Sequence, residues 1–218
     1  GNIFEKVGVN ISTVKGSFKE DFRNQISGTE KSASYWASGI SVVAHMQSPF
    51  VPAFHFNTRF IETGKTWFGG GSDMTPAIPN KEDVEIFHNS IEKVCNKHNE
   101  SYYGDFKKQC DEYFYLPHRN EPRGEGGIFF DHLNNNDFDS DFSFIHDFGE
   151  DTLDTMSAII EKRMSKKWSK EEKDIQLYKR GRYVEFNLLW DRGTLFGLKT
   201  GGSTEAILMS MPPTAKWK

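Results

Sequence analysis

Cysteine is scarce in this chain, whose 218 residues include only Cys95 and Cys110. The spacing of the two matches neither a metal-ligand motif nor a redox motif. Both lie in stretches whose pattern predicts helix. We therefore expect two structural thiols and a reducing compartment.

Long apolar runs are also missing, and the longest is a handful of residues such as Ala206 to Met209. A helix that crosses a bilayer needs roughly 20 apolar residues, so we predict no membrane insertion. The first residues, GNIFEKVGVN, read as a strand and not as a signal or transit peptide. We predict a cytoplasmic protein, or one of the mitochondrial intermembrane space if a transit peptide has been removed.

Charge of one sign is not in excess. The chain has 27 Lys and Arg against 31 Asp and Glu, which gives a formal net charge of −4. The two signs are mixed along the sequence, and this argues against nucleic acid or an anionic membrane as the main partner. We predict no nucleic-acid binding.

Several catalytic motifs are absent as well. No serine lies in a Gly-x-Ser-x-Gly elbow, and no Lys-Ser or Lys-Thr pair follows the glycine run, which argues against a covalent hydrolase and against a nucleotide loop. Four histidines could converge on a metal, but their spacing matches no metal-binding pattern and we predict no metal site. These histidines are His45, His55, His88 and His118.

Strand patterns are present in GISVVAHM and AFHFNTRFIE, which alternate with a period of two. The second stretch places His55, Asn57 and Arg59 on one face and phenylalanines on the other. If the two stretches form a hairpin, Ser41 lies opposite Arg59 and His45 opposite His55. Any even shift of this register keeps the five polar residues on one face.

Helix starts can also be read from the sequence. Asn80 precedes an acidic first turn, and Ser169 forms a capping box with Glu172. Ser17 and Glu20 form a similar box before a third helix. The apolar residues of that third helix are Phe18, Phe22 and Ile26.

The stretch RYVEFNLLWDRGTLFGLKT alternates and is predicted to be a hairpin that turns at Asp191, Arg192 and Gly193. Its predicted inward residues are Val184, Phe186, Leu188 and Trp190. Because hairpins outnumber alternating strand and helix units, we predict an α+β fold with a mainly antiparallel sheet covered by helices. The expected domain is single and spans residues 1–218.

Three adjacent glycines in TWFGGGSDMTP require a close approach to the backbone. The stretch is read equally well as a strand end that presents Asp73 to a ligand and as a bare turn. Six arginines suit a flat ligand with several carboxylates, although surface ion pairs explain most arginines in proteins. They are Arg59, Arg119, Arg123, Arg180, Arg182 and Arg192.

Long runs such as FHFNTRF, WFGGGSDMTP, FKKQCDEYFYLPHRNEPRGEGGIFFD and RGRYVEFNLLWDRGTLFGL strongly resemble the oxygen-dependent coproporphyrinogen III oxidases. The resemblance implies that dioxygen drives the oxidative decarboxylation of two propionates of coproporphyrinogen III to vinyl groups, giving protoporphyrinogen IX. It also implies an antiparallel sheet flanked by helices on both faces, a homodimer, and no cofactor besides dioxygen as co-substrate.

Matched by position, His55 corresponds to the family's proposed proton donor and Asp73 to its central carboxylate, which accepts pyrrole N–H groups. Arg192 matches an arginine of the site. The matching substrate-binding residues are Ser41, Asn57, Thr58, Arg59, Gly201, Gly202 and Ser203.

Two departures from the family are expected to matter. Ser203 stands where relatives carry an arginine, and relatives extend beyond both ends of this sequence. These departures give one alternative, a tetrapyrrole-binding relative with impaired catalysis. A second alternative is a His-dependent metalloenzyme on the same scaffold.

Overall fold

The computed structural model describes residues 1–18, 20, 27–30, 32–199 and 202–217. Its strands are β1 (Phe4–Ser17), β2 (Ser34–Met46), β3 (Ala53–Glu62), β4 (Thr66–Thr75), β5 (Tyr115–Leu116), β6 (Glu121–Pro122) and β7 (Gly126–Leu133). The helices found in these ranges are α1 (Lys81–His98), α2 (Tyr102–Tyr113), α3 (Phe138–Arg163), α4 (Lys170–Leu189), α5 (Arg192–Lys199) and α6 (Thr204–Ile207). Five antiparallel strands form one sheet in the order β1-β2-β3-β4-β7, and β5 pairs with β6.

One face of the sheet packs on α1, α2 and α3. Phe54, Phe68 and Phe130 point to this side and are buried, as are Phe87 of α1 and Phe144 of α3. Each large apolar side chain that is fully removed from water contributes about 1.5–3 kcal/mol. This aromatic layer holds the three helices against one face of the sheet. The opposite face can contact other parts of the chain.

The opposite face of the sheet is only partly covered. The side chains of α4 reach its far end, where the Arg180 guanidinium donates to the Met46 carbonyl at 2.9 Å and Tyr183 packs edge-on against His45. His55 and Arg59 of β3 lie on the same face and stay partly exposed. Helices therefore lie on both faces, as the fold class predicts, and a stretch of the second face remains open.

The helix caps and the strand alternation are confirmed. Asn80 accepts hydrogen bonds from the amides of Glu82 and Asp83 at the start of α1, and Ser169 forms its capping box with Glu172. In the hairpin of β2 and β3, Ser41 pairs with Asn57. This register differs by two residues from the expected one, so the polar residues share a face as predicted.

The predicted hairpin at 182–200 is wrong, because α4 and α5 occupy most of it. The buried residues of α4 include Arg180, Tyr183 and Asn187, whose spacing of three and four positions is that of one helix face. The alternation of Val184, Phe186, Leu188 and Trp190 is accidental, since only Phe186 of these four is buried.

The helix predicted after Ser17 falls mainly on residues 21–26. These residues, which include Phe22 and Ile26, lie outside the described part of the chain. Ser17 itself is the last residue of β1. Among the described residues, no helix is both long and apolar enough to cross a membrane.

Candidate functional site

A chain of hydrogen bonds runs along the open face of β3. Every second residue contributes, because side chains of one strand face are two residues apart. Arg59 Nη1 donates to Asn57 Oδ1 at 3.4 Å, and Asn57 Nδ2 lies 3.2 Å from His55 Nε2. His55 Nδ1 lies 2.8 Å from Asp73 Oδ1.

These contacts fix the direction of the hydrogen bonds. The Asn57 oxygen accepts from Arg59, so its amide nitrogen faces His55 and donates to Nε2. The imidazole proton then lies on Nδ1 and is donated to Asp73. His55 is thus oriented with Nδ1 towards Asp73 and Nε2 towards Asn57.

Asp73 lies directly opposite His55 across the pair of β3 and β4. It is 2 % exposed, and its second oxygen accepts from Arg123 Nη2. Burial by itself would raise the pKa of Asp73, but Arg123 and His55 outweigh burial and hold this pKa below its usual range. Asp73 is therefore ionised, and protein partners already occupy both of its oxygens.

Arg123 is the buried cation of the site. Its guanidinium carbon lies 4.0 Å from the centre of the Phe114 ring, 4.5 Å from that of Tyr183 and 4.8 Å from that of Phe186. Its backbone amide donates to the Phe114 carbonyl at 2.8 Å, which fixes the loop that carries it. Rings on several sides and one carboxylate hold this arginine in place.

A second carboxylate, Asp191, lies at the junction of α4 and α5. It accepts from the Tyr113 hydroxyl at 2.7 Å and from the Thr194 amide at 2.7 Å, and so caps α5. Burial acts to raise the pKa of Asp191, but these hydrogen bonds and the nearby His55 lower it overall. The hairpin expected from the sequence made Asp191 a turn residue without a functional role. The Asp-x-x-Thr spacing of a helix cap was the available signal.

Arg192 is linked to the site through Tyr113. Its guanidinium carbon lies 4.8 Å from the centre of the Tyr113 ring, and its amide donates to the Tyr113 hydroxyl at 3.1 Å. The side chain is exposed. Arg192 is thus positioned at the margin of the site with its charge towards solvent.

The three glycines belong to β4 and do not form a turn. A Cβ at position 69 would lie 3.0 Å from Arg59 Cζ and 2.9 Å from Asp131 Oδ1. A Cβ at position 70 would lie 2.7 Å from the Asn57 carbonyl oxygen and 3.0 Å from the ring of Phe130. A Cβ at position 71 would lie 2.6 Å from the Ile128 carbonyl oxygen, so all three glycines make room for the protein's own groups, and Gly69 does so for the guanidinium of Arg59.

The remaining predicted site residues are only partly brought together. Ser41 lies beside Asn57 on the open face, whereas Thr58 pairs with Ile40 and points to the helix-covered face. Ser203 caps α6 by accepting from the Ala206 amide at 3.4 Å, and the Gly202 amide donates to the Gly197 carbonyl. Gly201 lies outside the described residues.

The four histidines considered as metal ligands have separate hydrogen-bond partners. His45 contacts the Ser210 carbonyl, and burial lowers the pKa of His45 to about 4. His88 contacts Tyr103 and the Glu125 carbonyl, while His118 contacts Glu185 and Trp190. In the described part of the chain, no three His, Cys, Asp or Glu side chains stand close enough to hold a metal ion.

The fold and the site define an α+β protein whose open sheet face carries a hydrogen-bonded row of Arg59, Asn57 and His55 that ends at the buried Asp73. The family model of coproporphyrinogen III oxidase matches residues 1–218, and this chain belongs to that family. A relative from Rickettsia rickettsii (strain Sheila Smith), named oxygen-dependent coproporphyrinogen-III oxidase, is 57% identical over 217 residues, which are 100% of this chain and 78% of the relative. Relatives of the same name from Rickettsia africae (strain ESF-5) and Rickettsia bellii (strain OSU 85-389) are each 56% identical with the same coverage.

Proposed function

We propose that this chain catalyses the oxidative decarboxylation of two propionates of coproporphyrinogen III to vinyl groups, giving protoporphyrinogen IX. Each propionate loses carbon dioxide, one proton and two electrons, and dioxygen takes up the two electrons with that proton and one proton from solvent and leaves as hydrogen peroxide. The observation that carries the proposal is the family match over residues 1–218. The hydrogen-bonded row from Arg59 to Asp73 supports it, because it combines anion binding with proton transfer on one face.

Substrate carboxylates are proposed to bind at the rim of the site, to Arg59 and Arg192. Arg59 is one-third exposed and Arg192 is exposed, so both are open to a ligand. Arginine presents paired N–H donors to a carboxylate. Ser41 and Asn57 lie beside Arg59 and supply neutral hydrogen-bonding groups.

His55 is proposed to accept the pyrrole N–H proton at Nε2 when dioxygen attacks the electron-rich ring, after the Asn57 amide that contacts this nitrogen has moved away from it. Proton uptake would turn His55 into an imidazolium beside the ionised Asp73, whose charge stabilises it. The same imidazolium can return a proton later, which keeps the proton-donor role expected for His55. Asp73 is then proposed as a positioning residue, since it is bonded to His55 and Arg123 and its 2 % exposure keeps it out of direct contact with the substrate.

Asp191 is proposed to receive the remaining pyrrole N–H groups. Its lowered pKa supports an ionised carboxylate, and its intermediate exposure leaves it open to a ligand. This assignment moves the central-carboxylate role from the enclosed Asp73 to a more accessible group. Asp191→Asn should then weaken binding of the tetrapyrrole more than Asp73→Asn does.

The decisive experiment incubates the purified chain with coproporphyrinogen III in air and without oxygen, and follows protoporphyrin fluorescence after chemical oxidation together with carbon dioxide release. Oxygen-dependent formation of both products supports the proposal. Binding of the substrate without carbon dioxide release would identify a catalytically impaired relative and overturn it.

A homodimer in the cytoplasm that works without a metal or organic cofactor completes the proposal. Metal analysis of the active protein, followed by assay with a chelator, tests the cofactor statement. Light scattering at micromolar concentration tests the dimer. Loss of activity on chelation, restored by one metal, would favour the metalloenzyme alternative.

A further inference from the structure

An irregularity in β7 places Asp131 next to Arg59. The strand pairs Gly70 of β4 with Phe130, but its next pair joins Phe68 to Leu133, so two residues of β7 face one residue of β4. His132, in this bulge, adopts the left-handed conformation with φ 57°. Bulges redirect side chains and are common beside functional sites.

One carboxylate oxygen of Asp131 lies within reach of several hydrogen-bond donors. Oδ1 accepts from the indole Nε1 of Trp67 at 3.2 Å and from the His132 amide at 3.1 Å, and Arg59 Nη2 lies 3.2 Å from the same atom. The Trp67 ring also packs on the ring of His132 at 4.7 Å between centres. The carboxylate is thus fixed by its own strand and by β4 before it meets Arg59.

The guanidinium of Arg59 lies over Gly69, where any side chain would collide with it. Its two terminal nitrogens each carry two hydrogens. One nitrogen is directed at Asn57 and the other at Asp131. Each nitrogen therefore keeps one hydrogen for an incoming carboxylate.

We propose that Asp131 is a positioning residue for substrate recognition, which holds the guanidinium of Arg59 flat over Gly69 so that its paired N–H groups meet a propionate carboxylate. The inference rests on the proposed function, because it concerns the anionic substrate of the same site. In the alternative role, Asp131 competes with the substrate for Arg59, and a propionate must displace it before binding. The Trp67 and His132 donors oppose competition, since they tie the carboxylate to the sheet.

The test measures equilibrium binding of coproporphyrin III, the fluorescent oxidised tetracarboxylate, and the kinetics of coproporphyrinogen III. Asp131→Asn keeps the shape of the side chain and removes its charge. We expect Kd and KM to rise about twofold to fivefold, the range of a partly exposed ion pair, with kcat unchanged. Trp67→Phe, which removes only the indole donor, should raise Kd in the same direction by less.

The control is Asp154→Asn, which removes the same charge from an exposed position of α3. Asp131→Asn is also tested in an Arg59→Lys background, where it should have no further effect on Kd, because the paired donors are already lost. A persistent effect in that background, an unchanged Kd, or tighter binding by Asp131→Asn would overturn the positioning role. Lack of turnover by the unaltered protein, with the binding difference intact, would overturn the proposed function alone.

Discussion

Replacing Arg123 by methionine tests how the site keeps a carboxylate charged in its interior. Arg123 is 4 % exposed and Asp73 is 2 % exposed, so the substitution leaves Asp73 buried without its cation. Methionine keeps an unbranched side chain against Phe114 and Tyr183, over which the guanidinium now lies. The change therefore removes charge while much of the packing remains.

The expected loss is about 3–5 kcal/mol in the free energy of unfolding, the usual cost of removing one partner of a buried ion pair. This is a large share of the 5–15 kcal/mol that a typical domain has. Asp73→Asn in the same protein removes the uncompensated charge, so the double variant should recover much of that loss. Arg123→Lys keeps the charge but loses the planar stacking on Phe114, and we expect a smaller loss.

The assay is urea unfolding of the three variants and the unaltered protein, followed by circular dichroism and tryptophan fluorescence. Equal m-values are needed for the free energies to be comparable. A loss below about 1 kcal/mol for Arg123→Met, the level of an exposed pair, would refute the reasoning. So would a double variant no more stable than Arg123→Met, since the buried charge would then not be the cause.

The pH dependence of the free energy of unfolding is an independent test of the buried charge on Asp73. In the unaltered protein the pKa of Asp73 is lowered, so its contribution to stability is present above the unfolded pKa of about 3.9 and is lost as the pH falls through the folded value. Without Arg123, burial should raise this pKa above the unfolded value. Stability of Arg123→Met should then fall as the pH rises from about 4 to 7, and the gap to the unaltered protein should widen.

Three further outcomes are expected. Arg59→Lys should raise KM about tenfold with little change in kcat, because one charge-assisted hydrogen bond is lost; unchanged Michaelis parameters would contradict the binding role. His55→Gln should lower kcat by about 10²–10⁴, measured at saturating substrate, and a kcat near the original value would exclude proton transfer by this residue. The hydrogen bond from Arg119 is the main reason that the pKa of Glu185 is lowered to about 2, and further hydrogen bonds act in the same direction. Glu185→Gln should therefore cost about 1 kcal/mol at pH 7, and the difference should vanish as the pH falls towards 2.

Patterns confined to one element could be predicted from the sequence. The alternation in β3 placed His55, Asn57 and Arg59 on one face before any register was known, because a strand has a period of two. The caps at Asn80 and Ser169 were also readable, since a cap involves residues only two or three positions apart.

Contacts between distant residues could not be predicted in this way. Arg123 reaches Asp73 across 50 positions, and Tyr113 reaches Asp191 across 78. The wrong hairpin at 182–200 hid the second contact, because it made Asp191 a turn residue. A period of two and a period of 3.6 are hard to separate over a few residues, and packing of Phe186 against Phe114 favours the helix.

The arginines of the site divide by burial into two roles. Arg123 is enclosed by aromatic rings and bonded to Asp73, so it cannot turn towards a ligand without exposing a buried carboxylate. Arg59 is one-third exposed and lies over Gly69, and Arg192 is exposed. Under the proposed function, a negatively charged substrate would therefore bind to Arg59 and Arg192, while Arg123 would stay bonded to Asp73. Arg123 could not take over substrate binding from Arg59 and Arg192. A substrate carboxylate that drew Arg123 away would leave Asp73 unpaired at a cost of several kcal/mol.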